Sequence, residues 1–112
     1  MQFDKDIQSE HKDLFLKVRN LLLSKEGIIE TKKDRITTYS IHKKGLCHVR
    51  TMPYGVDIGF LKGVQLSDYL ELLIGKGKTI RVLPLKAYNE VIVNHFVNEA
   101  IKLNLIHKVI QF

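Results

Sequence analysis

The spacing of apolar positions changes along the chain, and each change of period marks a change of element. Over residues 6–26, Ile7, Leu14, Val18, Leu21 and Leu22 recur at helical spacing, which predicts an amphipathic helix. Asp6 or Ser9 is its expected N-cap, and Gly27 its expected stop. From residue 35 the period falls to two. The segments RITTYSIH (35–42), LCHVRTM (46–52) and VDIGFLK (56–62) read as three strands. The run LSDYLELLI (66–74) suggests a short helical turn capped by Ser67, and GKGK (75–78) a loop. TIRVLP (79–84) reads as a fourth strand with Ile80 and Val82 inward and Pro84 at its end or on an edge. Helical spacing returns over 86–104, where Tyr88, Val91, Ile92, Phe96, Ala100 and Leu103 share one side.

Alternation also argues the pairing. A three-residue loop at Lys43-Lys44-Gly45 sets Ile41 opposite Cys47, Tyr39 opposite Val49, Ser40 opposite His48 and Thr38 opposite Arg50. That loop wants glycine at its last position, where Gly45 stands. A two-residue loop at Tyr54-Gly55 sets Val49 opposite Phe60 and Thr51 opposite Ile58, with Arg50 beside Asp57 and Gly59. One sheet face then carries Tyr39, Ile41, Cys47, Val49, Ile58 and Phe60. The other carries Thr38, Ser40, His42, His48, Arg50, Met52 and Asp57. Each helix has a single apolar stripe, so both pack on the same sheet face. The expected fold is α+β, a two-layer sandwich in the order α-β-β-β-β-α, with a mainly antiparallel sheet.

Composition narrows the class. With 112 residues, 45% of them hydrophobic and 27% charged, the chain reads as one globular domain over 1–112. No apolar run approaches the roughly 18 residues of a membrane helix, and MQFDKDIQSEHKD is too polar for a signal peptide. No membrane partner is therefore expected. Cys47 is the only cysteine, which excludes an internal disulfide and a four-cysteine zinc site and makes a cytoplasmic setting the expectation.

The net charge of +6 is unevenly placed. Residues 1–34 and 90–112 balance. Residues 35–56 carry Arg35, Lys43, Lys44 and Arg50 without an acid, and residues 72–89 carry Lys76, Lys78, Arg81 and Lys86 without an acid. A localised basic field attracts anions or an acidic protein surface. Aromatic residues do not interleave with these charges and no nucleic-acid motif is visible, so sequence-specific nucleic-acid binding is not expected.

Candidate chemistry is sparse. Gly75-Lys76-Gly77-Lys78-Thr79 ends like a phosphate-binding P-loop, but Leu72 stands where the motif needs glycine, and a strand follows instead of a helix. Of the five histidines (His11, His42, His48, His95 and His107), His42 and His48 fall on one sheet face, where a third metal ligand is lacking and Arg50 is close. Cys47 points inward and reads as a core residue. Asp57, Asp68 and Glu71 have no spacing that suggests acid–base work; Asp68 reads first as a turn or cap residue.

The stretch 59–85, GFLKGVQLSDYLELLIGKGKTIRVLPL, resembles the YdhG-like domain family of uncharacterised bacterial proteins. Members read roughly Gly-Phe-Phe-x-Gly-x-x-Leu-x-Asp-Pro, then Leu-x-Gly-x-Gly-Lys, then an Arg-His pair. This chain matches at Gly59, Phe60, Gly63, Leu66, Asp68, Leu73, Gly75, Gly77, Lys78 and Arg81, and departs at Tyr69 and Val82. The resemblance implies a frataxin-like sandwich; the motif has a structural reading, in which Lys78 and Arg81 bridge to Asp68 and lock the loop, beside the functional one. The expected function is a non-enzymatic binding or adaptor protein that uses a cationic open sheet face and the 75–81 loop for an anionic ligand or acidic protein. Its candidate residues are Lys78, Arg81, Asp68, Arg50, His48 and His42, with no cofactor. The alternative implied by the resemblance is an intracellular iron-binding chaperone; a third reading is a small enzyme with its site at Asp68, Lys78 and Arg81.

Overall fold

The computed structural model describes residues 1–109, with side chains through residue 105. Of the helix expected over 6–26 only α2 (Lys12–Leu23) forms, and a separate short helix, α1 (Gln2–Asp6), precedes it. Asp6 is not a helix cap. It is fully buried, and its Oδ1 accepts from the backbone amide and hydroxyl of Thr51 at 3.0 and 2.7 Å. The chain breaks there because the carboxylate is drawn onto the sheet. Ser9 Oγ accepts from the His11 amide just ahead of α2. Helix α2 ends at Leu23 with Ser24 as its C-cap, ahead of the expected stop, and Gly27 takes its left-handed φ of +88° in the turn that follows.

Five antiparallel strands lie in sequence order: β1 (Ile29–Lys32), β2 (Thr37–Ile41), β3 (Lys44–Met52), β4 (Gly55–Phe60) and β5 (Arg81–Leu85). Strand β1, IETK, was not expected, because one apolar residue in four gives no alternation to read. It is held by pairing to β2 and by Glu30, which accepts from Arg19 at 2.7 and 2.9 Å and from the Tyr39 hydroxyl at 2.9 Å. Burial works to raise the Glu30 carboxyl. The bonds from Arg19 and Tyr39 outweigh it and hold the group below the ordinary carboxylate range.

Both expected hairpin registers are displaced by two residues. Tyr39 faces Cys47, Thr38 faces His48, Val49 faces Ile58 and Cys47 faces Phe60. A shift of two keeps every side chain on its face. The expected core face therefore survives, and Tyr39, Ile41, Cys47, Val49, Ile58 and Phe60 are all buried. The first turn is His42-Lys43, with φ of +53° and +62°, the pair of left-handed residues that a two-residue hairpin turn requires. Gly45 lies in β3 instead, and a bulge compensates: Ser40 faces Gly45 while Tyr39 faces Cys47. The second turn is Pro53-Tyr54, between the paired Met52 and Gly55. A Cβ at Gly55 would lie 1.9 Å from the Leu85 carbonyl oxygen, so the close approach of β5 requires glycine there.

Beyond β4 the chain departs further from expectation. A 3-10 turn spans Gly63–Gln65, and no helix forms over 66–74. The Ser67 amide donates to the Glu99 carboxylate at 3.0 and 3.1 Å, so Ser67 caps nothing. Strand β5 has the opposite phase from that expected: Leu83 and Leu85 are buried, Val82 lies on the other face opposite Gly59, and Ile80 is exposed. Its apolar residues occupy both parities, so pairing to β4 makes the choice. Outside β5, Ile74 and Val82 exchange two backbone bonds of 2.8 Å, covering part of the edge.

Helix α3 (Glu90–Val109) begins after Asn89, whose Oδ1 accepts from the Ile92 amide at 3.1 Å. It buries Val93, Phe96, Val97 and Ala100, whereas Val91, expected inward, is 79% exposed. With Phe15, Val18 and Leu22 of α2, these side chains cover the face of the sheet that holds Tyr39 and Phe60. The architecture is thus α+β, with an antiparallel sheet and helices at both ends of the chain. No helix among the described residues is long and apolar enough to cross a membrane.

Candidate functional site

The sheet face away from the helices carries a continuous row in which Thr31, Thr38, His48, Gly59, Val82 and Ile74 stand opposite one another in turn. The His48 ring lies over Gly59, where a Cβ would come within 2.0 Å of it. Burial by this packing pushes the imidazole below its ordinary pKa, the Arg50 charge adds to the effect, and Asp57 opposes it. His48 is therefore neutral at pH 7. Arg50 faces Asp57, which accepts a hydrogen bond from the Tyr54 hydroxyl. Burial, with that bond, pushes Tyr54 up to about 12. His42 does not project from this face but stands in the β2–β3 turn. The open face expected to be cationic thus holds a neutral histidine and an arginine set opposite an acid.

The basic charge gathers instead at one end of the sheet. Strands alternate in direction, so β2 and β4 end where β3 and β5 begin. That end receives Lys43 and Lys44 from the first hairpin, Lys62 from the exit of β4, and Lys76, Lys78 and Arg81 from the entry to β5. The segments are stitched together: the Leu61 amide donates to the Leu46 carbonyl at 3.1 Å, and the Val64 amide to the Thr79 carbonyl at 3.0 Å. Gly63 presses on Arg81, where a Cβ would lie 2.4 Å from the backbone nitrogen. At roughly 4.8 Å between neighbouring strands, the three segments lie within about 15 Å. Among the described residues, none of these six cations is in an ion pair.

Arg81 and Asp68 do not meet in the expected way. Arg81 Nη1 donates to the carbonyls of Gly77 and Ile80 at 2.6 and 2.7 Å and so ties the 76–80 loop to β5. Asp68 accepts from the amides of Leu72 and Leu73 at 2.8 and 3.1 Å, the turn role that its residue type suggests. Both border a small cleft of about 170 Å³ with Gly63, Val64, Leu66 and Leu73. Lys76 and Lys78 stay exposed on the loop, which leads into a strand, so no helix N-terminus backs it. A larger groove of about 560 Å³, on the helix side at Lys17, Leu21, Tyr88 and Glu90, shares none of these residues.

Other candidate chemistry stays apart. Cys47 is fully buried, and burial pushes its thiol well above the ordinary range, away from thiolate reactivity. Among the described residues, no group of three His, Cys, Asp or Glu side chains is placed to hold a metal ion. The His107 side chain lies outside the described residues. Of the six cations at the basic end, reasoning from sequence named Lys78 and Arg81 as candidate site residues and left out Lys43, Lys44, Lys62 and Lys76. The available signal was topological: in an antiparallel meander, alternate connections share an end. Comparison with protein-family models, with curated proteins and with solved structures gives no match for this chain.

Proposed function

We propose that the chain is a non-enzymatic binding or adaptor domain whose basic sheet end holds an anionic ligand or an acidic protein partner. The observation that supports this reading is the convergence of Lys43, Lys44, Lys62, Lys76, Lys78 and Arg81 without a counter-ion among the described residues. Cations held together repel, a cost that an arriving anion removes. In this reading Lys76 and Lys78 make contact, Arg81 and Asp68 keep the loop and its approach in shape, and His42 borders the site from the first hairpin, while His48 and Arg50 lie further along β3, away from it. The kinship of 59–85 with YdhG-like domains, and the frataxin-like arrangement it implies, is part of the proposal and supplies no ligand. A cytoplasmic setting is also part of it, suited to the single buried thiol.

The test is a titration of the chain with polyglutamate, followed by amide NMR shifts at low and high salt. Shifts should centre on residues 43–44, 62 and 76–81, and affinity should fall as salt rises. Lys43→Glu with Lys78→Glu should weaken binding by about tenfold or more. Shifts scattered over the surface, or an affinity indifferent to the paired charge reversal, would sink the reading.

A further inference from the structure

We infer that the basic end of the sheet is a peripheral contact for a bilayer bearing anionic phosphate headgroups. The inference rests on the anion-binding reading above and names its partner. Lysines at this end are interleaved with exposed aliphatic side chains. Val64, Ile74 and Ile80 are 42%, 54% and 40% exposed. The Val64–Thr79 bond and the Ile74–Val82 pairing gather them around Lys62, Lys76 and Lys78. Leu70 and Tyr69, on the same connection, are also exposed. Contiguous exposed apolar groups call for a partner that rewards their burial.

A small soluble anion or a nucleic-acid backbone rewards the lysines and leaves the aliphatic groups in water. A stacking platform for bases needs aromatic faces, and Tyr69, the aromatic residue here, is set at an interplanar angle of 89° to His95, with centroids 5.5 Å apart. The loop that carries Lys76 and Lys78 is also open on its outer side. Residues 74–80 are all exposed, and a Cβ at Gly77 would meet nothing nearer than 4.0 Å. An anionic bilayer has negative headgroups above hydrocarbon, and its soft surface accepts lysines and aliphatic tips together without a shaped pocket. Arg81 already ties the loop, so little ordering remains to be done on contact. The expectation of no membrane partner was drawn from the lack of a spanning run, and a surface contact needs no span.

The test is co-sedimentation of the full chain with vesicles of phosphatidylcholine alone and of phosphatidylcholine mixed equally with phosphatidylglycerol, beside a polyglutamate titration. The chain should bind the anionic vesicles about tenfold or more tightly than the neutral ones. Lys76→Glu with Lys78→Glu should lose both vesicles and polyglutamate. Ile74→Ser with Ile80→Ser keeps the charge and should weaken vesicle binding about tenfold while sparing polyglutamate. The chain has no tryptophan, so Ile80→Trp gives a clean reporter. Its emission should shift to the blue on anionic vesicles, whereas Val91→Trp on α3 should not shift. Polyglutamate binding without vesicle binding overturns the membrane contact and leaves the anion-binding reading standing; binding of neither overturns both. Vesicle binding indifferent to the isoleucine pair, an unshifted Ile80→Trp, or tighter binding to an oligonucleotide than to vesicles also overturns the membrane contact.

Discussion

Where β3 turns into β4, the sheet is closed by side-chain bonds and a close backbone approach. Asp6 grips Thr51 and also accepts from Gln2 at 2.9 Å, His11 Nε2 lies 3.0 Å from the Pro53 carbonyl oxygen, and Gly55 lies against the Leu85 carbonyl. At the opposite end, where β2 turns into β3 and β4 leaves for β5, the connections carry the exposed Lys43, Lys76 and Lys78, and the bonds that hold them run mostly to backbone groups. The first end leaves little room for change, because Asp6 is buried against Thr51 and the Leu85 backbone lies against Gly55. The second tolerates change at Lys43, Lys76 and Lys78, whose side chains are in water. Surface charge that stability does not require can be kept there for contact with a partner.

The contrast breaks most sharply at Gly55. Gly55→Ala drives a Cβ into the Leu85 backbone and should cost about 3 kcal/mol. Urea denaturation measures it, and a neutral outcome would mean that β5 does not approach as described. Next comes Asp6→Ala, which leaves Thr51 donors buried without an acceptor and should cost about 2 kcal/mol, with Asp6→Asn costing less.

Midway between the ends, Glu30→Gln weakens the tie among Arg19, Glu30 and Tyr39 and should cost about 1–2 kcal/mol at neutral pH. The Glu30 carboxyl is held below its unfolded value of about 4.3, so its stabilisation is complete above that pH. It is lost as pH falls through the folded value. Acid titrations of stability should therefore show a shallower decline in Glu30→Gln, and identical acid limbs would refute the tie.

At the basic end the effects are small. Lys43→Gly should stabilise the domain by about 0.5 kcal/mol, since relief of a left-handed φ outweighs the added chain entropy. A thermal melt that falls would argue against the turn. Smallest of all, Lys43→Glu with Lys78→Glu, both at exposed positions, should change stability by no more than about 0.5 kcal/mol. A large loss there would erase the difference between the two ends.

Legibility in the sequence stopped at the hairpin registers, at the phase of β5 and at β1. The hairpin residues Tyr39, Cys47, Val49, Ile58 and Phe60 were assigned to the right face although both registers were displaced by two, because alternation has period two and cannot tell such registers apart. The left-handed pair His42-Lys43 overrode the glycine signal at Gly45, and the bulge absorbed the difference. In β5, Ile80, Val82, Leu83 and Leu85 offer an apolar residue on either parity, so local pattern alone chose the wrong face. Strand β1 gave no pattern at all, since its place depends on Glu30 meeting Arg19 and Tyr39 from elsewhere in the chain.

The sequence by itself determined the class of fold, the inward face of the central hairpins, the burial of Cys47 and the presence of two acid-free basic segments. These are local or periodic properties, written in neighbouring residues. Only the tertiary structure decided where that charge lies. It placed His48 neutral over Gly59 and Arg50 opposite Asp57, assigned Asp68 and Arg81 to backbone contacts, and brought Lys43, Lys44, Lys62, Lys76 and Lys78 to one end. The physical reason is strand direction: an antiparallel meander returns alternate connections to the same end, so residues more than thirty positions apart become neighbours through a topology that no single segment encodes.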